Sequence, residues 1–171
     1  MTSKMQYRTL PLATHVMAAL CVSLFLLSAP QSFADRDNST IPVVTDLSQD
    51  ASLARSQELV ILIEFSDDYC EYCLLLENEF LIPMSKNREY GEKVIIRSLP
   101  LNRDHQFKGF QGELVSASQF ASKYQVKVTP TMVFLDANGN ELSEKLVGIW
   151  SIDFFGSYLD ERIDTARQKV L

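Results

Sequence analysis

The chain has 171 residues, with 16 Lys and Arg against 22 Asp and Glu, for a formal charge of −6. That length suits one domain with a real core. An acidic balance with no basic cluster argues against nucleic acid or an anionic membrane as partner.

Lys4 and Arg8 are the only charged side chains before Asp35, and an apolar segment from Val16 to Leu27 follows them. Pro30 ends that pattern, and Ser32-Phe-Ala34 puts small residues where a signal peptidase cuts. Residues 1–34 therefore read as a secretory signal peptide cleaved after Ala34. The alternative is an uncleaved anchor, for which the apolar run falls short of the ~20 residues that span a bilayer. Cys21 lies inside this segment, and Leu20 stands before it where a lipoprotein site wants a small residue. Cleavage removes two of the 16 basic residues and no acidic one, so the mature chain carries −8. It keeps one histidine, His105, and two cysteines, Cys70 and Cys73.

Residues 35–45 are polar, contain Pro42 and show no periodicity, so they read as a flexible leader to a domain over 46–171. Asp46 to Glu58 is predicted helical, with Ser48 as N-cap and Leu47, Leu53 and Ala54 on one face. Leu59 to Phe65 is an apolar run of the kind found in a strand covered on both faces. Ser66, Asp67 and Asp68 interrupt it with groups able to accept bonds from a following helix N-terminus. Cys70 and Cys73 then share one side of that helix's first turn. A thiol there feels the positive end of the helix dipole, which favours thiolate, and a second thiol one turn away can close a disulfide with it. A purely structural bridge across two intervening residues would close too small a loop to remove much entropy from the unfolded chain.

The helix should end before Pro83, because proline disfavours the helical conformation of its predecessor. Met84 to Gly91 reads as a turn, and Val94 to Leu99 as the next strand. Leu101 to Gly112 reads as a loop. Its Phe107 and Phe110 either fold back on the core or form an exposed docking surface, and its His105 is a solvated side chain or a functional one. Val115 to Tyr124 is predicted helical, with Ser116 or Ser118 near its start. The β-formers after Pro130 predict a strand, whose proline marks a special first position and a candidate cis peptide. Asp136-Ala-Asn-Gly139 predicts a hairpin turn to a strand over Glu141–Val147. Ser151 caps a last helix with Ile152, Phe155, Leu159, Ile163 and Ala166 as its apolar stripe.

Taken together, Cys70-Glu-Tyr-Cys73 after an apolar strand, Thr129-Pro130 before another and Gly148 late in the chain resemble the thioredoxin superfamily. The style of the dithiol helix is most similar to exported thioredoxin-related proteins of the SoxW type. The resemblance implies an α/β, thioredoxin-like three-layer fold, a central mixed sheet with flanking helices. It also implies a thiol–disulfide oxidoreductase with no cofactor beyond a redox-active Cys70–Cys73 disulfide and no metal. Cys70 would be the nucleophile and Cys73 the resolving thiol. Pro130 would be a cis-proline facing the dithiol, and Thr129, Pro130, Tyr69 and Tyr72 the substrate-binding set. Glu64 falls where thioredoxins bury an acid below the second cysteine, and it would take the Cys73 proton if burial raises its pKa. The competing reading of Glu64 is a strand-end acid reaching solvent.

The sequence departs from thioredoxins in four ways, one being that the Leu101 to Gly112 loop reads as an insertion before the third helix. Tyr69 replaces the tryptophan before the first cysteine, Glu71-Tyr72 replaces Gly-Pro, and the proline in the middle of the active helix is missing. Asp67, Asp68 and Glu71 oppose a thiolate at Cys70, which favours a reductant over a strong oxidant. The expected partners are disulfide-bearing proteins and a membrane-bound dithiol donor, with the chain a periplasmic or otherwise exported monomer. Two alternatives stand beside this: a dedicated carrier for one client pathway, such as sulfur oxidation or cytochrome c maturation, and a Cu(I) chaperone. The second lacks Met or His ligands beside the cysteines.

Overall fold

A single strand, β1 (Val60–Ser66), is buried along its whole length. The structure is a computed structural model and describes residues 40–102 and 105–171. The expected signal peptide lies outside the described residues. β1 pairs in parallel with β2 (Val94–Pro100) and antiparallel with β5 (Thr131–Leu135), and β5 pairs antiparallel with a short edge strand, β6 (Leu146–Val147). The sheet order is β2-β1-β5-β6, a mixed four-stranded sheet. The apolar run of β1 follows from this central place, with period-two side chains covered on both sides. Ile61, Ile63 and Phe65 join a core with α1 (Leu47–Gln57) and α5 (Ala117–Lys123). Val60 and Leu62 join the opposite core, with α2 (Glu71–Leu76), α3 (Ile82–Lys86) and α6 (Ile152–Arg167). Glu64 and Ser66 share the parity of Val60 and Leu62, so they face the dithiol helix.

Several local expectations are revised. The leader is not loose up to Thr45, since Ile41 and Val44 are buried. The Val44 N–H donates to the Ser98 carbonyl at 2.9 Å and the Ser98 N–H to the Pro42 carbonyl at 3.0 Å. Two apolar side chains and an unpaired edge of β2 hold this segment. Asp46, not Ser48, is the N-cap of α1, its Oδ1 accepting the N–H groups of Ser48 and Gln49. Leu53 is 41% exposed, because six positions of helical rotation carry it off the face of Leu47, Ala51 and Ala54.

The dithiol helix does not stop before Pro83. A π-helical turn over Glu77–Leu81 follows α2, and Pro83 sits at the start of α3. There its missing N–H sacrifices little, and the wide turn relieves the ring's clash with the preceding turn. A short helix, α4 (Arg88–Gly91), replaces the expected turn, with the Asn87 side chain capping it. The predicted loop holds a hairpin of β3 (Gln106–Lys108) and β4 (Leu114–Ser116). Ser116 closes a capping box with Gln119 at the head of α5. Only Leu146–Val147 of the expected last strand forms, with an isolated bridge at Glu141. In α6, Phe155, Leu159, Ile163 and Ala166 are buried while Ile152 is 47% exposed, and the Ser151 side chain makes no capping bond.

The Asp136–Gly139 turn is drawn tight by Asp136, whose Oδ1 accepts from Asn138 and Asn140. Gly139 has φ +80°, and a Cβ there would lie 2.7 Å from the Phe110 ring. Gly112 has φ +83° but open space around it. Gly112→Ala should therefore lose only the left-handed backbone penalty, about 1 kcal/mol. Gly139→Ala should lose about 3 kcal/mol, adding overpacking to that penalty. Urea denaturation of the two variants tests the difference, and equal losses would contradict it.

Candidate active site

Where β1 ends, the chain turns through Asp67, Asp68 and Tyr69 into α2. The Asp67 Oδ1 accepts the Tyr69 N–H at 2.9 Å, and the Cys70 N–H donates to the Asp67 carbonyl at 3.1 Å. Asn102, from the segment after β2, accepts the Asp68 N–H through its side chain at 3.3 Å. The helix N-cap is Cys70 itself, its sulfur accepting the Cys73 N–H at 3.1 Å. The acids before it therefore shape the turn and do not cap the helix. Ser66 is buried and bonds Ser98 Oγ at 2.9 Å.

Cys70 and Cys73 are joined in a disulfide with Cα atoms 5.2 Å apart. Cys70 is half-buried, whereas Cys73 is only 2% exposed. Attack from solvent is therefore directed to the first sulfur. Tyr69 and Tyr72 stand out into solvent at 92% and 61% exposure, with Val128 exposed as well.

The antiparallel pairing of β5 with β1 sets Thr131 opposite Phe65, at the end of the sheet from which the dithiol loop leaves. Thr129-Pro130 therefore lies at that same end. Its peptide bond is cis, Thr129 is half-buried and Pro130 is buried. The Gly148 N–H donates to the Pro130 carbonyl at 2.8 Å, which brings the third motif glycine there too. The sheet thus gathers Cys70, Cys73, Thr129, Pro130, Tyr69 and Tyr72 at one end, with Glu64 beneath.

Glu64 has no solvent exposure, and no N–H or O–H of a neighbouring residue bonds either of its carboxyl oxygens. Its cross-strand neighbours are Ser98 and Met132. The polar group beside it is the carboxylate of Glu77, at the first position of the π turn and four residues beyond Cys73. Two carboxyl groups in contact are favourable only with a proton between them. Burial foremost, then the charge of Glu77 and the hydrogen bond the two share, together push the Glu64 carboxyl up to about 9. Burial also raises Glu77, opposed by the bonds it receives from Glu64 and Ser98. Ser98 Oγ approaches Glu77 Oε1 at 3.5 Å. The solvent-reaching alternative for Glu64 is excluded by its burial. Glu77 is absent from the site expected on sequence, although its i,i+4 spacing from Cys73 was a usable signal.

The remaining loop candidates serve the core. Phe107 and Phe110 are 2% and 7% exposed, with Phe107 edge-on to Phe120 at 5.2 Å and Phe110 stacked on it at 6.3 Å. They form no exposed docking surface. His105 stacks on Phe107, and its Nε2 lies 2.6 Å from the Val44 carbonyl. Among the described residues, no cluster of three or more His, Cys, Asp or Glu is placed to hold a metal ion, and no helix is long and apolar enough to cross a membrane.

A mixed sheet that delivers a dithiol and a cis-proline to one end defines a thioredoxin-like protein. Residues 47–163, more than half of the chain, match the thioredoxin-like domain family, and the protein belongs to that family. The fold is similar to a thioredoxin of Malassezia sympodialis, at 20% identity and TM-score 0.50, over 74% of this chain and 90% of that one. It is likewise similar to a mutant poplar thioredoxin h, at 21% identity and TM-score 0.50, over 76% and 86% of the two chains. No curated protein matches the sequence. Family, fold and the Cys70–Cys73 disulfide together support thiol–disulfide oxidoreductase chemistry.

The burial of Glu64 has a consequence for stability. Its folded value of about 9 lies above the ordinary 4.5, so between those values the native state binds one proton more than the unfolded state. Stability is then fully present below the unfolded value, falls as pH rises through the window, and levels off above about 9. Glu64→Gln should remove this slope. Its advantage over wild type should grow by about 4 kcal/mol from pH 5 to pH 8. Denaturant titrations at the two values measure it, and parallel pH profiles would refute it.

Proposed function

We propose that this chain is an exported thiol–disulfide oxidoreductase acting as a reductase of protein disulfides, of the SoxW-like kind. The observation that carries the catalytic part is the split in exposure across the dithiol, an accessible Cys70 and a buried Cys73, above a buried acid. In the reduced enzyme, the Cys70 thiolate attacks one sulfur of a substrate disulfide. A mixed disulfide forms, and the first substrate thiolate leaves. Cys73 then loses its proton and attacks the Cys70 sulfur, closing the Cys70–Cys73 bond and releasing the second substrate thiolate. Two electrons pass from the enzyme dithiol to the substrate disulfide.

Substrate recognition is assigned to the rim of that site. Thr129 offers backbone groups to an extended segment beside cis-Pro130, and Tyr69 and Tyr72 present large exposed rings for contact. The reducing direction rests on Asp67, Asp68 and Glu71, whose charges oppose the helix dipole at Cys70 and so work against the very low thiolate pKa of strong oxidants. Regeneration then needs a dithiol donor in the membrane. The dedicated-carrier alternative drew on an exposed Phe107/Phe110 surface, and the burial of both rings removes that support.

In an insulin-disulfide reduction assay, Cys70→Ser should abolish turnover. Cys73→Ser should accumulate a covalent substrate adduct at Cys70, visible by non-reducing electrophoresis, and an adduct that fails to form would sink the proposed order of attack. Equilibration against a thiol buffer should place the pair near −270 mV, the thioredoxin end of the scale. A value near −120 mV would reverse the direction. Export is checked on full-length chain expressed in a bacterium. A periplasmic product beginning at Asp35 supports it, and an intact chain kept in the cytoplasm contradicts it.

A further inference from the structure

A single buried carboxyl group makes a poor base. Fully protonated in an apolar strand, it has no charge with which to take a proton from a thiol. The resolving step of the reductase reading needs a base near Cys73, and β1 supplies one only if a second group leaves negative charge beside Glu64. Glu77 is that group. Cys73, Leu76 and Glu77 lie at i, i+3 and i+4 along the dithiol helix, and Cys73 and Leu76 are buried on its inward face. Glu77 is half-buried, bonded to Glu64 on one side, with Ser98 Oγ 3.5 Å from its Oε1. It therefore links a sealed acid to the protein surface. Its position opens the π-helical turn, a distortion common at functional sites.

Among the described residues, no cation neutralises the pair. Arg97 precedes Ser98 but points to the other face of the sheet, where Asp50 holds it at 2.5 and 3.0 Å. The strands beside Glu64 contribute Ser98 and Met132, and its own strand contributes Ser66, none of which titrates in the working range. The inward face of α6 is Phe155, Leu159, Ile163 and Ala166. Among the described residues the titratable group beside Glu64 is thus Glu77, and Cys73 lies on the inward side of the helix that covers this face of the sheet.

We propose that Glu64 and Glu77 share one proton and act together as a relay that carries the Cys73 proton to solvent. This rests on the reductase reading above. In the resolving step, the Cys73 S–H bond breaks and its proton passes to one oxygen of Glu64. The proton on the other Glu64 oxygen moves to Glu77, which releases it to water. The Cys73 thiolate then displaces the substrate thiolate from Cys70. Glu64 ends protonated and Glu77 ionised, as they began, so the relay is restored with every turnover. Glu64 faces the reacting thiol, and Glu77 is a positioning residue that acts through it. Two carboxyl groups with one proton between them hold both an acid and a base, and the same pair can run the step in reverse.

The test mixes reduced full-length chain with an aromatic disulfide whose thiol absorbs when released. The first release reports attack by Cys70 and the second reports attack by Cys73. Glu77→Gln should leave the first phase unchanged, slow the second at least about tenfold at pH 7 and displace its pH profile. Glu79→Gln, exposed on the same helical segment, should alter neither phase. Glu64→Gln with Glu77→Gln should be no slower than the slower single variant, as befits groups acting as a unit. A second readout needs no substrate: the infrared C=O band of the shared carboxyl proton should persist through neutral pH and shift in Glu77→Gln.

Wild-type kinetics and an unmoved band in Glu77→Gln would overturn the relay. A wild-type chain that shows no second release would instead sink the reductase reading, and the relay with it. That outcome is distinct from wild type and variant releasing alike.

Discussion

Seven consecutive residues of β1 are closed off from water, and the fifth of them is a glutamate. Burying a carboxyl group in such a place costs several kcal/mol unless it keeps its proton or finds a partner. Both conditions are met here by one neighbour, the Glu77 carboxylate on the helix above. Much of the surrounding architecture follows from that constraint. Parallel pairing with β2 places Ser98 beside Glu64, and the side chain of Ser98 turns towards Glu77. The helix that bears the two cysteines must lie over this face of the sheet, since Glu77 belongs to it.

The other half of the site is assembled by topology. β1 and β5 run antiparallel, so the exit of one and the entry of the other meet at the same end of the sheet. The dithiol turn and the cis Thr129-Pro130 peptide are sixty residues apart in sequence yet reach one edge. Gly148 is tied to Pro130 by a backbone hydrogen bond through the short β6 pairing. Short-range chemistry then differentiates the two sulfurs. Cys70 ends the turn as the helix cap, half-buried, while Cys73 lies one turn further on, on the inward face.

The region between β2 and α5 shows how an expected loop becomes structure. Phe107 and Phe110 pack against Phe120, and His105 reaches the Val44 carbonyl. The same hairpin bonds Thr45 through the Lys108 N–H, so the leader and the insertion hold each other against the domain. Neither segment carries a periodic pattern. Each is held by a few rings and edge hydrogen bonds supplied from elsewhere in the chain.

The features legible in the sequence are those generated by local rules. The apolar run of β1 announces a doubly covered strand, the Cys70/Cys73 spacing puts both sulfurs on one helical turn, and the Asp-Ala-Asn-Gly run makes a turn by its own hydrogen bonds. Thr129-Pro130 and Gly148 were readable because they accompany such a dithiol at set places in the chain order. Helix limits were harder. The dithiol helix runs through Pro83 because a π turn accommodates the ring, and Asp46 rather than Ser48 caps α1 because the chain enters the helix two residues earlier. The amino-acid order by itself determined the central strands and main helices, the dithiol and the presence of an acid in β1. The partner of that acid was decided by tertiary structure, because the contact between Glu64 and Glu77 joins a strand to a helix stacked on it, and no residue spacing records which side chains meet across two layers.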